Sequence, residues 1–189
     1  MNQNEPKSRK GERGRETLFR VTYQHQSKLI QIADYKANMN MSLNTMIISA
    51  IIAILGYGIV SGQLVDLNTY LMIPVIGIVG ACLVSLVFAI QAARPKLLKT
   101  KKATDPNQKS SLLFFGEIAS HSQADYIERM KELISSDHDM YEHMTIDLHN
   151  QGMILKRKYD LLLISYQVLM YGFIFSVLLF MLMLLIYLM

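Results

Sequence analysis

The chain has one cysteine, Cys82, in 189 residues, and a lone thiol leaves no intramolecular disulfide framework to hold a fold together. Charge is missing from three long stretches. Asp, Glu, Lys, Arg and His are all absent from Met41–Val60, Tyr70–Ala93 and Leu161–Met189. The catalytic repertoire is equally thin. There is no Gly-rich phosphate loop, no HExxH and no Cys/His cluster with metal-ligand spacing, so no catalytic residue, metal or cofactor is expected. About 40 polar residues precede the first apolar run, so no cleavable signal peptide is expected. The last apolar stretch reaches the final residue, so no outer domain is expected beyond it.

What is present is apolar surface, 51% of the residues, sorted into blocks that alternate with blocks holding the charges. Each uncharged stretch reaches the roughly 20 residues needed to cross a hydrocarbon core of ~30 Å. A chain of this length is too short to wrap three such helices in a soluble core. The expected fold is therefore an all-α membrane protein with three transmembrane helices, at about residues 41–60, 70–93 and 165–187. The third stretch is longer than one span requires, and Ser165, Tyr166 and Gln167 in its first turns are read as interfacial.

The basic residues give an orientation. All 19 Lys and Arg lie either before the first span or between the second and third, and the short loop Ser61–Thr69 carries only Asp66. The positive-inside rule then puts the N-terminus and the region 94–160 in the cytoplasm and the C-terminus outside.

The cytoplasmic parts read as helical. Residues 1–15 are polar, basic and poor in apolar residues, the composition of a disordered tail that touches anionic lipid. From Glu16 the pattern turns helical, with Leu18, Val21, Thr22, His25, Leu29, Ile32 and Lys36 at three- and four-residue spacing. Neither Pro nor Gly intervenes before Gly56, so one helix is expected to run on into the first span, and residues 16–189 form a single domain. Arg94–Ser111 is a Lys-rich linker with Pro95 and Pro106, followed by an aromatic turn at Phe114-Phe115-Gly116. Ser120 and Gln123 fit a capping box. A long amphipathic helix is expected to follow, with Tyr126, Met130, Leu133, Met140, Met144, Leu148 and Leu155 on one side. It should dock on the N-terminal helix to form a cytoplasmic bundle and break or bend at Gly152.

Small residues recur every four positions in the spans: Gly77, Ala81, Ser85, Ala89 and Ala93 in the second, Thr45, Ser49 and Ala53 in the first, Gly172 and Ser176 in the third. Such stripes let helix backbones approach closely. They serve either packing within the chain, where Gly77, Ala81, Ser85 and Gly172 are the candidates, or packing between copies in a homo-oligomer. Asn40 and Asn44, one turn apart at the mouth of the first span, should face other helices rather than lipid, with Asn44 a packing residue. Asp139, His143 and Asp147, four apart after Asp137-His138, can share a helical face and so form a metal-ligand arrangement; a solvated face is the simpler reading.

The segment Leu29–Asn44, LIQIADYKANMNMSLN, is similar to the signature in which a cytoplasmic helix enters the first span of Pycsar effector transmembrane proteins. Ala33-Asp34-x-Lys36-Ala37-Asn38 carries the resemblance most directly. Phe114-Phe115-Gly116, the helix around Tyr126, and Leu155-Lys156-x-Lys158-Tyr159 also look like that family, so the resemblance covers about residues 18–185. It implies a membrane effector of bacterial antiphage defence. Such an effector answers a cyclic pyrimidine nucleotide (cCMP or cUMP) made by a partner pyrimidine cyclase and compromises the inner membrane. No nucleic acid partner is implied. For the box itself two readings stand. In one, Asp34 accepts from a ribose hydroxyl, Lys36 meets a cyclic phosphate and Asn38 reads a base edge. In the other, Asp34 pairs with a basic residue of the middle region, Lys36 snorkels to the headgroups and Asn38 ties two helices together. A non-sensing scaffold or small channel subunit with a partner-binding helical hairpin is the alternative to the effector reading, and a membrane-anchored hydrolase using the His/Asp run is a third.

Overall fold

The computed structural model describes residues 5–62, 72–94 and 111–188, and every element among them is a helix. In chain order these are α1 (Glu5–Val60), α2 (Met72–Ala93), the single turn α3 (Phe115–Ile118), α4 (Gln123–Ser135) and α5 (Asp137–Leu188). Segments of α1, α2 and α5 are long and apolar enough to cross a membrane. The first four residues of the basic tail, the loop after the first span and most of the Lys-rich linker lie outside the described residues.

The helix limits follow from the few prolines and glycines. Pro6 and Pro74 each fall in a first turn, where the missing N–H has no intrahelical partner to lose. α2 ends at Ala93, two residues before Pro95, because the residue preceding a proline is pushed out of the helical region. α1 ends at Val60, and Gly62, two residues on, closes it with a φ of 72° while its N–H donates to the Ile59 carbonyl at 3.2 Å. At its other end α1 starts at Glu5, upstream of the Glu16 start that periodicity suggests.

The middle region departs from expectation in two places. There is no single amphipathic helix ending near Gly152. Instead α4 stops at Ser135, Ser136 takes extended backbone angles, and α5 runs from Asp137 straight through Gly152 into the last span. Ser122, rather than Ser120, caps α4: its hydroxyl accepts from the Asp125 N–H at 3.3 Å. Ser136 repeats the device with the Asp139 N–H at 3.4 Å. Both starts are Ser-x-x-Asp, a side-chain acceptor followed by a carboxylate that favours the positive end of the helix dipole.

The described residues sort into two compact units. The first joins α1 up to Gln31 with α3, α4 and α5 up to Lys156. Its contacts confirm a helical bundle: Phe19 packs on Tyr141 with ring centroids 5.4 Å apart, and the Arg15 guanidinium lies 5.4 Å over the same ring. Leu133 is buried, and Tyr126, Met130, Met140, Met144, Leu148 and Leu155 are all partly covered. On α1 the covered face is rotated by about one residue from the expected one. Phe19, Thr22 and Gln26 are partly buried, whereas Leu18, Val21 and His25 are exposed.

The second unit holds the rest of α1, all of α2 and α5 from Arg157. Its interior is made of small and polar side chains: Ala33, Ala37, Asn40, Asn44, Cys82, Ser85, Ala89, Ala92, Leu162, Ser165 and Ser176 are buried. Its outside carries the bulk, including Ile54, Ile59, Ile76, Phe175, Leu178 and Leu182. Bulky apolar residues facing out and small ones facing in suit a hydrocarbon solvent, where association comes from close backbone approach. That approach is tight at two glycines. A Cβ on Gly77 would come within 3.3 Å of the Ser176 hydroxyl, and one on Gly172 would overlap the Ala81 methyl.

Candidate functional site

The most organised chemistry in the molecule is a polar seam inside the three-helix unit. Asn40, Asn44, Ser85 and Ser165 are all fully buried. The Ser165 hydroxyl donates to the Ser85 carbonyl at 2.6 Å, and the Ser85 hydroxyl donates to the Ser165 carbonyl at 2.9 Å. Each hydroxyl oxygen then accepts an amide from α1, Asn40 Nδ2 to Ser165 at 2.6 Å and Asn44 Nδ2 to Ser85 at 3.1 Å. The result is a reciprocal clasp between α2 and α5, braced from one side by two asparagines of α1. Asn44 Nδ2 also donates to the Asn40 carbonyl at 2.8 Å, while its Oδ1 has no partner. Ser165, read from sequence as interfacial, is thus an interior residue. Its hydroxyl sits where two helix backbones come close, and that environment is invisible in a hydropathy profile.

Two turns up α1 from this seam, Lys158 Nζ donates to Asp34 Oδ1. Lys158 is largely buried and Asp34 is 41% exposed, so the carboxylate is open to solvent while the ammonium is not. Lys158 could be listed from sequence only as one of several basic residues near the last span. Its partner is 124 positions away.

The AD-x-KAN box does not converge on one point. Asp34 faces Lys158. Lys36 borders a groove with residues of α5, among them Tyr159, Asp160 and Tyr166, and its carbonyl accepts the Tyr166 hydroxyl at 3.1 Å. Asn38 is exposed on the other side of α1, beside Ser42, Thr45 and Ser49. Ala33 and Ala37 are the buried members, their small size admitting the neighbouring helix.

The packing candidates divide. Asn44 and Ser85 bond each other, and Gly77, Ala81 and Gly172 lie at close crossings. Thr45, Ser49 and Ala53 make no such crossing and are exposed. With Asn38, Ser42 and Gly56 they fall within about 80° of arc at 3.6 residues per turn, on the side of α1 away from Ala33, Ala37, Asn40 and Asn44. Thr45 returns its hydroxyl to the Met41 carbonyl at 2.9 Å. Asn38, Ser42 and Ser49 form no side-chain hydrogen bond among the described residues.

In the other unit the His/Asp run is taken up by local structure. Asp137 and Asp139 occupy the first turn of α5. His143 Nδ1 accepts the Leu112 N–H at 3.2 Å, and its carbonyl accepts the Ser111 hydroxyl at 2.9 Å, which anchors the turn before α3. Asp147 is buried and accepts from Gln151 Nε2 at 3.1 Å; burial pushes its carboxyl above the ordinary range, and that hydrogen bond only partly offsets the rise. On α4, the hydrogen bond from Arg129 holds the Asp125 carboxyl below its usual value; desolvation opposes it, and the charges of Arg129 and His121 add to the lowering. Among the described residues no group of three or more His, Cys, Asp or Glu is placed to hold a metal ion.

A family model described as the Pycsar effector protein domain matches residues 17–186, nearly the whole chain. No curated protein and no solved structure matches.

Proposed function

The chain belongs to the Pycsar effector family, and from that premise we propose that it is the membrane effector of an antiphage system. In this reading a cyclic pyrimidine nucleotide, cCMP or cUMP from a partner cyclase, drives copies of the chain to associate in the bacterial inner membrane and impair its integrity. The N-terminus lies in the cytoplasm and the C-terminus outside, as the distribution of Lys and Arg favours.

The observation that carries the reading is the exposed polar stripe Asn38, Ser42, Thr45 and Ser49 on a helix that crosses the bilayer. Hydroxyl and amide groups gain nothing from lipid tails, and helices in membranes bring such groups together for about 0.6 kcal/mol per hydrogen bond on average. Among the described residues of one copy no other helix covers the stripe. In a homo-oligomer it faces its own counterpart, as a polar seam or as the wetted wall of a pore.

The nucleotide acts, in this proposal, at Asp34 and Lys158. A cyclic phosphate draws the Lys158 ammonium, and a ribose hydroxyl donates to the freed Asp34 carboxylate. Lys158 thereby takes the phosphate role that one of the two sequence readings gives Lys36, and Asn38 serves the stripe rather than a base edge. No group of the chain is assigned to catalysis.

The test is dye leakage or depolarisation in cells expressing the chain, with and without added cCMP or cUMP. Nucleotide-dependent leakage is expected. It should be lost in a Ser42→Leu/Ser49→Leu variant that still inserts and still binds nucleotide. Intact membranes under every nucleotide, together with no binding to the solubilised protein, would refute the proposal.

A further inference from the structure

The groove beside Lys36 has a composition that neither the polar seam nor the outer stripe accounts for. It is an open cleft of about 350 Å³ between α1 and α5. At one end are two opposite charges, Lys36 from α1 and Asp160 from α5, both exposed. Neither forms an ion pair among the described residues, so each presents its charge to whatever fills the cleft. The nearby charges Asp34 and Lys158 are already matched to each other.

From Asp160 the wall descends through Leu163 and Tyr166 to Met170, a fall of about 15 Å at 1.5 Å per residue. The Tyr166 hydroxyl donates to the Lys36 carbonyl, which ties the two helices together at mid-groove and fixes the floor. The charged end lies just before the apolar spans begin on both helices, at headgroup depth. The apolar end lies within the last span.

We infer that this groove is a binding site for a phospholipid whose headgroup carries both a phosphate and a primary amine, that is, a phosphatidylethanolamine. The occupant is fixed by charge complementarity in order along the cleft. The Lys36 ammonium meets the phosphate, the Asp160 carboxylate accepts from the lipid ammonium, and an acyl chain follows Leu163 and Met170 into the bilayer. Charge-assisted hydrogen bonds of this kind are about twice as strong as neutral ones. A phosphatidylglycerol offers Asp160 no cation and brings a net negative charge toward it. A phosphatidylcholine carries a cation with no N–H to donate. The site depends on the chain being in a membrane and not on its response to a cyclic nucleotide, so the two proposals fail separately.

The test uses the full chain purified in detergent and native mass spectrometry with three lipids of identical acyl chains: phosphatidylethanolamine, phosphatidylcholine and phosphatidylglycerol. Soluble glycerophosphoethanolamine, cCMP and cUMP serve as competitors. Phosphatidylethanolamine should be retained roughly three- to tenfold better than either other lipid, the ratio expected for one exposed charge-assisted hydrogen bond. Asp160→Asn should erase its advantage over phosphatidylcholine, and Lys36→Met should weaken both lipids alike. Leu163→Trp fills the groove without touching either charge and should lower retention of all three. Equal retention of the three lipids, a preference for phosphatidylglycerol, or variants indistinguishable from the parent would overturn the inference. Displacement of the lipid by glycerophosphoethanolamine at equal concentration would show that the acyl wall is unused. Displacement by cCMP or cUMP would assign the groove to free nucleotide. Either of these results also overturns it.

Discussion

Replacing Gly172 by Ala should drive α2 and α5 apart, and the size of the effect follows from one contact. A methyl on Gly172 would overlap the Ala81 methyl, and the next atom it meets is the Ala81 Cα at 3.7 Å. Carbon atoms are at their best separation at about 3.5–4.0 Å, so the crossing must open by more than 1 Å or one helix must rotate. Neither side chain has a rotamer to move, because each is a single methyl. Overpacking of this kind typically costs about 1–3 kcal/mol. Part of that cost is distant, since Ser85 lies one turn from Ala81 and its hydrogen bonds at 2.9–3.1 Å lengthen as the crossing opens. The rescue is specific. In Gly172→Ala/Ala81→Gly the new methyl finds only the Cα at 3.7 Å, an ordinary contact. Unfolding of the four proteins of this cycle in mixed micelles, followed by circular dichroism, should give a coupling energy of about 1–3 kcal/mol, with intrinsic helix propensities cancelling. Full stability of Gly172→Ala, or a double variant no better than the sum of its singles, would refute the close crossing.

At neutral pH Asp147→Asn should stabilise the bundle that α3 and α4 form with α1 and α5. Burial raises the carboxyl above its ordinary 3.8 in the fold, so the fold prefers the protonated form; its stability is greatest below that ordinary value and falls as pH rises through it to the raised value. Thermal melts at several pH values should therefore show the variant's gain at pH 7 shrinking to nothing near pH 4, and a gain that is constant with pH would contradict the burial. Ser122→Ala removes the acceptor of the Asp125 N–H and should cost about 1 kcal/mol, read as faster amide exchange in the first turn of α4; unchanged exchange there would contradict the cap.

The spans were legible because hydrocarbon excludes charge, and 19 basic residues confined to two segments leave few ways to thread the chain. Asn40 and Asn44 were legible as inward-facing residues, since they lie one turn apart and amide groups at the mouth of a span avoid lipid. The interior break was misplaced because Gly152 looks like a helix breaker in isolation. There a side chain would have found an ordinary contact with Gln26 at 3.8 Å, and the helix ignores it, whereas Ser136 supplies the capping oxygen that stops one helix and starts the next. Nothing local marks Lys158 as the partner of Asp34 or Ser165 as the partner of Ser85, because the pairings depend on which faces meet across 124 and 80 positions of chain. The outward position of Thr45 and Ser49 was likewise hidden, since a small-residue spacing fits an inner or an outer seam equally well.

The clasp of Ser85 and Ser165 also sets how α2 and α5 can move past each other. Each hydroxyl is captured by the other helix's carbonyl, so a slide of even one residue, about 1.5 Å, strips both bonds together and offers no replacement serine. Continuous sliding is therefore excluded, and the pair behaves like a detent that holds one register until released. Any rearrangement of this unit must then be a jump that frees both hydroxyls at once or a rotation that pivots around them. Its kinetics should show an all-or-none step, with no graded series of intermediate registers.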